Sequence, residues 1–138
     1  KLRNIFWGGD VEDNASIILK SIDEKIFANF NASWTEWKNN FLFEIFTKDI
    51  QFSVKGLGGS YGVESLTIYE MGENLGPPKT TIFEYPGNDN SWQIETSLFF
   101  DNIKNDIFSS KSLDDTMKLH AIVDYIYNCS KCSCHEVH

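Results

Sequence analysis

The sequence predicts an α+β fold, an open, mostly antiparallel β-sheet of about six or seven strands with helices packed on one face. Three observations carry this expectation. Apolar runs of period two, separated by turn residues, fill residues 1–85, the pattern of strands with one buried face. From Ser91 onward the period lengthens to that of a helix. Strands come first and helices last, which separates this order from a βαβ repeat.

The first strand is expected over 2–7. Residues 15–22 alternate, with Ala15, Ile17 and Leu19 on one face, and the turn Asp23-Glu24-Lys25 leads into a strand over 26–34. There Ile26, Ala28, Phe30, Ala32 and Trp34 share a face expected to be buried, while Asn29, Asn31 and Ser33 point to water. Residues 41–46 are apolar on nearly both faces, which predicts a central strand covered on two sides. Thr47-Lys48-Asp49 then turns the chain into Ile50, Phe52 and Val54 as a hairpin. Two more strands are expected at 64–71 and 80–85, separated by a surface loop with Gly72, Gly76, Pro77 and Pro78. Pro86-Gly87-Asn88-Asp89-Asn90 breaks the pattern again. The first helix then opens at Ser91 as N-cap, with Trp92, Thr96, Phe99 and Ile103 on one stripe. A second helix begins near Ser112, where Ser112 and Asp115 have capping-box-like spacing, and runs toward Asn128.

The glycines at 56, 58, 59 and 62 follow a strand-like run, as a dinucleotide fingerprint would. The G-x-G-x-x-G pattern fails because Tyr61 stands where its third glycine belongs. A phosphate-cradling loop also needs a helix N-terminus behind it, and the segment ESLTIYEM reads as another strand. These glycines are expected to serve a strand-to-strand connection through positive φ angles or a close backbone approach.

With 138 residues the chain is expected to form a single domain over 1–138, long enough to bury roughly two thirds of its unfolded surface. Its first residue is Lys1 and no secretory leader pattern precedes LRNIFWGG, which suggests a processed chain or an excised piece of something longer. No apolar run has the length of a membrane span. The 12 Lys and Arg against 20 Asp and Glu give a net charge of −8, with the acids scattered. Nucleic acid is not an expected partner, because phosphate binding needs a basic stripe and the lysines form none. Cys129, Cys132 and Cys134 crowd one end and cannot staple distant parts of a fold, so a reducing cytoplasm is the expected location. The Asn-x-Ser triplets at Asn14, Asn31 and Asn128 would matter only in a secreted chain.

Candidate chemistry is sparse. The tail offers Cys129, Cys132, Cys134, His135 and His138, all zinc-ligand types, but contiguous and terminal rather than in two separated knuckles, so a frayed helix end with free thiols is favoured and no metal is expected. His120 lies mid-helix with no nucleophile motif and no G-x-S-x-G nearby, which favours a packing histidine over a catalytic one. Asp10, Glu12 and Asp13 read as an acidic loop rather than an acid/base pair. No catalytic residue is assigned. The better site candidates lie around Trp34, Glu36, Trp37, Lys38 and Asn39, where aromatic faces beside donors and a carboxylate suit a sugar-like ligand. Trp34 continues a strand face and reads as structural, whereas Trp37, Lys38 and Asn39 lie where the chain turns. Tyr61 and His120 complete the substrate-contact candidates.

Three stretches carry a resemblance: EDNASIILKSIDEKIFANFNASWTEW, the run NNFLFEIFTKDIQFSVKGLGGSYGVESLTIY, and SLDDTMKLHAIVDYIYNCSK in the last helix. In order and spacing the chain resembles the C-terminal domain of the Gfo/Idh/MocA family, the glucose-fructose oxidoreductase and inositol dehydrogenase type. The resemblance implies an N-terminal Rossmann domain on the same polypeptide, carrying the NAD or NADP site and the catalytic lysine, neither of which has a counterpart here. It implies that the parent enzyme transfers hydride between a nicotinamide and a carbinol carbon of a sugar or polyol. This domain would shape the substrate pocket and join subunits into a homo-oligomer through its sheet face, and alone it would be inactive. From Cys132 on the tail departs from the family's closing segment. The alternative is a free-standing binding or interaction module that uses its open sheet face without a redox role.

Overall fold

The computed structural model describes residues 2–4, 6–73, 76–107 and 110–131. They form an α+β fold in which every strand pairing is antiparallel. The strands divide between two sheets instead of forming one. Contacts group the chain into two compact units, 1–37 with 108–138, and 38–107.

In the first unit, β1 (Leu2–Arg3), β2 (Asn14–Lys20) and β3 (Phe27–Ser33) lie in that order. The first strand is shorter than the expected 2–7. Ala15, Ile17 and Leu19 sit opposite Ala32, Phe30 and Ala28, so the expected apolar faces do meet in register. The turn between β2 and β3 is closed by the Ser21 N–H donating to the Ile26 carbonyl at 2.9 Å, with Glu24 at φ 60°. Ser21 Oγ also accepts the Ile26 N–H at 3.0 Å, so one serine fixes both sides of the turn. Trp34, expected to extend the buried face of β3, is instead 84% exposed. It lies past the strand's end, where its N–H donates to the Asp13 carbonyl. Helix α2 (Ser110–Lys131) completes this unit. It starts before Ser112, so that residue lies inside the helix, where its carbonyl accepts the Thr116 hydroxyl, and is no cap.

In the second unit, β4 (Leu42–Phe46), β5 (Ile50–Lys55), β6 (Glu64–Glu70) and β7 (Lys79–Tyr85) form a meander in sequence order. β4 was expected to be central, but it is an edge strand and all five of its residues are exposed. A strand that is apolar on both faces needs layers on both sides, and local sequence does not say whether those layers lie within the same unit. Register places Phe43 and Ile45 beside Val54 and Phe52, these beside Leu66 and Ile68, and Leu66 beside Phe83. One face of this sheet therefore carries an apolar patch of these residues, bordered by Thr81, Glu70 and Lys79, and the other mixes Glu44, Gln51, Ser53, Thr67 and Thr80 with Leu42, Phe46, Tyr69 and Ile82. Helix α1 (Ser91–Lys104) follows and contains no buried residue. Its N-cap is Asn90 rather than Ser91, and the Ser91 N–H donates to Asp89 Oδ1 at 2.9 Å.

Among the described residues no apolar side chain is fully buried; the buried side chains are Asp13, Ser53 and Thr67. Within each sheet the apolar face is half-buried at most, the state of a layer that still lacks cover.

Candidate functional site

The glycine cluster links β5 to β6, two antiparallel strands, and no helix follows it. Gly56, Gly58, Gly59 and Gly62 all have positive φ. Gly56 shows why glycine is required. At φ +80° a Cβ there would lie 2.6 Å from the Val63 carbonyl oxygen, nearer than any side chain can sit. Gly59 and Gly62 instead face open space, with nothing within 4 Å of a would-be Cβ.

That open space is one wall of a groove of about 410 Å³, bounded by Gly59, Gly62, Val63, Glu64, Tyr85 and the loop 86–89. Sheet register builds it. Glu64 at the start of β6 pairs with Tyr85 at the end of β7, so the glycine loop and the Pro86 to Asp89 loop emerge from the same end of the sheet. Glu64 Oε1 accepts the Gly58 N–H at 2.7 Å, which holds the carboxylate against the loop. Asp89 Oδ1 accepts the Ser91 N–H at 2.9 Å, and this bond keeps the Asp89 carboxyl below its ordinary value of 3.8. The groove thus has a tyrosine ring, glycine backbone and two pinned carboxylates, with no basic side chain in its lining. A smaller hollow of about 160 Å³ lies at the opposite end of the sheet, between the turn at 46–51 and Tyr69, Met71 and Pro78.

The residues singled out from sequence divide between the two units. Trp37 and His120 belong to the first unit and are exposed; Lys38, Asn39 and Tyr61 belong to the second. Tyr61, 40% exposed, stands in the loop that walls the groove. His120, expected to pack within its helix, is exposed instead, as are its neighbours along α2. Of the tail ligands, Cys129 is free and exposed, while Cys132, Cys134, His135 and His138 lie outside the described residues. Among the described residues no group of three or more His, Cys, Asp or Glu is placed to hold a metal ion.

The acidic loop before β2 has a structural task. Asp13, 5% exposed, accepts the Phe6 N–H at 2.7 Å and the Trp7 N–H at 3.4 Å through Oδ2, and the Asn14 amide at 2.8 Å through Oδ1. Asn14 continues to the Thr35 hydroxyl at 3.2 Å, which lies 2.9 Å from that of Ser33. Glu12 accepts the Tyr127 hydroxyl of α2. That bond lowers the Glu12 pKa and raises that of Tyr127.

Glu64, Tyr85 and Asp89 were not among the sequence candidates. The available signal was the pair of breaks at 56–62, rich in glycine, and 86–90, a Pro-Gly-Asn-Asp-Asn turn, which a β6–β7 hairpin brings to one end of the sheet. No family model, curated protein or solved structure matches the chain. Among the described residues no helix is long and apolar enough to cross a membrane.

Proposed function

We propose that this chain is the substrate-pocket and oligomerisation domain of an NAD(P)-dependent oxidoreductase acting on a sugar, polyol or related carbinol. The observation that carries the reading is the half-buried apolar patch of the four-stranded sheet, with Phe43, Ile45 and Phe83 exposed, ending in a polar groove at Glu64 and Tyr85. An exposed apolar surface favours association with another layer, and a groove at its end can hold a small polar ligand. The resemblance of the three sequence stretches to the Gfo/Idh/MocA C-terminal domain supports the same reading.

Among the described residues, the glycine loop does not fit a dinucleotide. The glycine loop leads into β6, so it offers no helix N-terminus to a pyrophosphate, and the adjoining groove presents Glu64 and Asp89, which would repel one. Cofactor and catalytic lysine are accordingly assigned to an N-terminal Rossmann domain of the same polypeptide. The clustered cysteines support a cytoplasmic setting.

Titration of NADH and then NADPH into the chain, read by energy transfer from its tryptophans to the nicotinamide, tests this assignment. The expected result is no saturable signal with either. Saturable binding at about micromolar levels would place a nucleotide site within the chain and overturn the reading. A free-standing interaction module would use the same sheet face; a requirement for a different protein, rather than a second copy, to cover it would favour that alternative.

A further inference from the structure

Strand β4 presents an open sheet edge. The Gly56 N–H donates to the Phe41 carbonyl at 3.2 Å and the Thr47 N–H to the Ile50 carbonyl at 2.9 Å, so bonded pairs fall just beyond both ends of the strand. Bonded and non-bonded pairs alternate along an antiparallel ladder, and the unbroken register from Leu42 to Phe46 puts Phe43 and Ile45 at the bonded positions. The N–H and C=O groups of Leu42, Glu44 and Phe46 therefore point away from β5, and no other described strand takes them up. The opposite edge is guarded. Strand β7 is bracketed by Pro77-Pro78 and Pro86 and carries Lys79 and Glu84, devices that keep an edge from pairing, whereas LFEIF has a single charge and no proline.

That charge selects the occupant. Glu44 sits exposed at the middle of the strand, with Oε1 accepting the Gln51 amide at 3.0 Å. A second copy laid antiparallel and centred on β4 would set Glu44 directly opposite its own equivalent, a destabilising pair, and sliding the strands to escape it shortens their overlap. A strand with Lys or Arg at that position gains a cross-strand ion pair instead, and the chain's net charge of −8 acts in the same direction. Apolar residues on either side of the cation would lie beside Leu42, Phe43, Ile45 and Phe46, all of them exposed. We propose that β4 is a docking edge that accepts, as an added antiparallel strand, an extended segment of another protein in which a Lys or Arg is flanked on both sides by apolar residues.

Fluorescence anisotropy of labelled GSVIKVISG, GSVIQVISG and GSVIEVISG peptides with the whole chain, paired with amide hydrogen exchange, tests it. The Lys peptide should bind about three- to tenfold more tightly than the Glu peptide, as expected for one cross-strand charge pair, with the Gln peptide between them. On binding, the Leu42, Glu44 and Phe46 amides should become protected from exchange, while those of Phe43 and Ile45 are protected with or without peptide. Glu44→Lys should reverse the peptide ranking. Leu42→Pro removes one outward N–H and leaves the β4–β5 bonds in place, so it should weaken all three peptides with unchanged circular dichroism. No binding by any peptide, equal binding by all three, or a ranking that survives Glu44→Lys would overturn the proposal. So would protection of the three outward amides that rises with the chain's own concentration, which would put a second copy on the edge. These outcomes are independent of nicotinamide binding, on which the oxidoreductase reading falls.

Discussion

Gly56 holds the β5–β6 connection together in a way no other residue can. Its φ of +80° and the 2.6 Å approach of the Val63 carbonyl to a would-be Cβ act in the same direction. Gly56→Ala should lower unfolding stability by about 1–3 kcal/mol, measured by urea denaturation, whereas a change at Gly87, whose would-be Cβ meets nothing within 4 Å, should cost far less. The Glu12–Tyr127 bond gives a pH signature. Tyr127 donates to Glu12, and this holds the Glu12 carboxyl below its usual 4.5 and the Tyr127 phenol above its usual 10.0. For Glu12 the stabilisation is present above the unfolded pKa and is lost as pH falls through the lower folded value; for Tyr127 it is present below the unfolded pKa and is lost as pH rises through the higher one. Tyr127→Phe should remove this pair's share of the dependence at both ends of the range and leave the middle with only a small offset, read from denaturation midpoints across pH. The need for glycine at 56 was legible in the sequence as a cluster after a strand. The tie between Glu12 and Tyr127 was not, because 115 residues separate its partners.

Strands were legible because period two is a local property, and β2, β3, β5, β6 and β7 fall within a residue or two of expectation. Their division into two sheets was not, since pairing between distant strands leaves no local mark. β4 shows the same limit: its apolar sequence reports that both faces need cover and says nothing of where the cover comes from. The β4–β5 hairpin depends on Thr47, whose N–H donates to the Ile50 carbonyl at 2.9 Å while its hydroxyl donates to the same carbonyl at 2.8 Å. Thr47 Oγ1 also accepts the Ile50 N–H at 3.1 Å. Thr47→Ala should cost about 0.5–1.5 kcal/mol and Thr47→Ser much less, measured by thermal or chemical unfolding. The candidate site was half legible for the same reason as the sheets: Tyr61 and Glu64 lie in and beside a recognisable loop, but Tyr85 and Asp89 join them only through the β6–β7 register.

At the scale of the whole chain, a net charge of −8 accompanies apolar surfaces that no described residue fully buries. The charge favours solubility and opposes association, while the sheet face drives it. The apolar face wins if the partner layer buries about 800 Å² on each side, the size of a standard stable interface. The groove at Glu64 and Tyr85 lies at the end of that face. Sedimentation equilibrium of the chain beside Phe83→Lys, over a range of concentrations, is the most direct test of the assembly role. The expected result is a self-associating chain whose Phe83→Lys variant is monomeric with unchanged circular dichroism. A folded chain that stays monomeric at every concentration, or a variant that associates as the parent does, would contradict it.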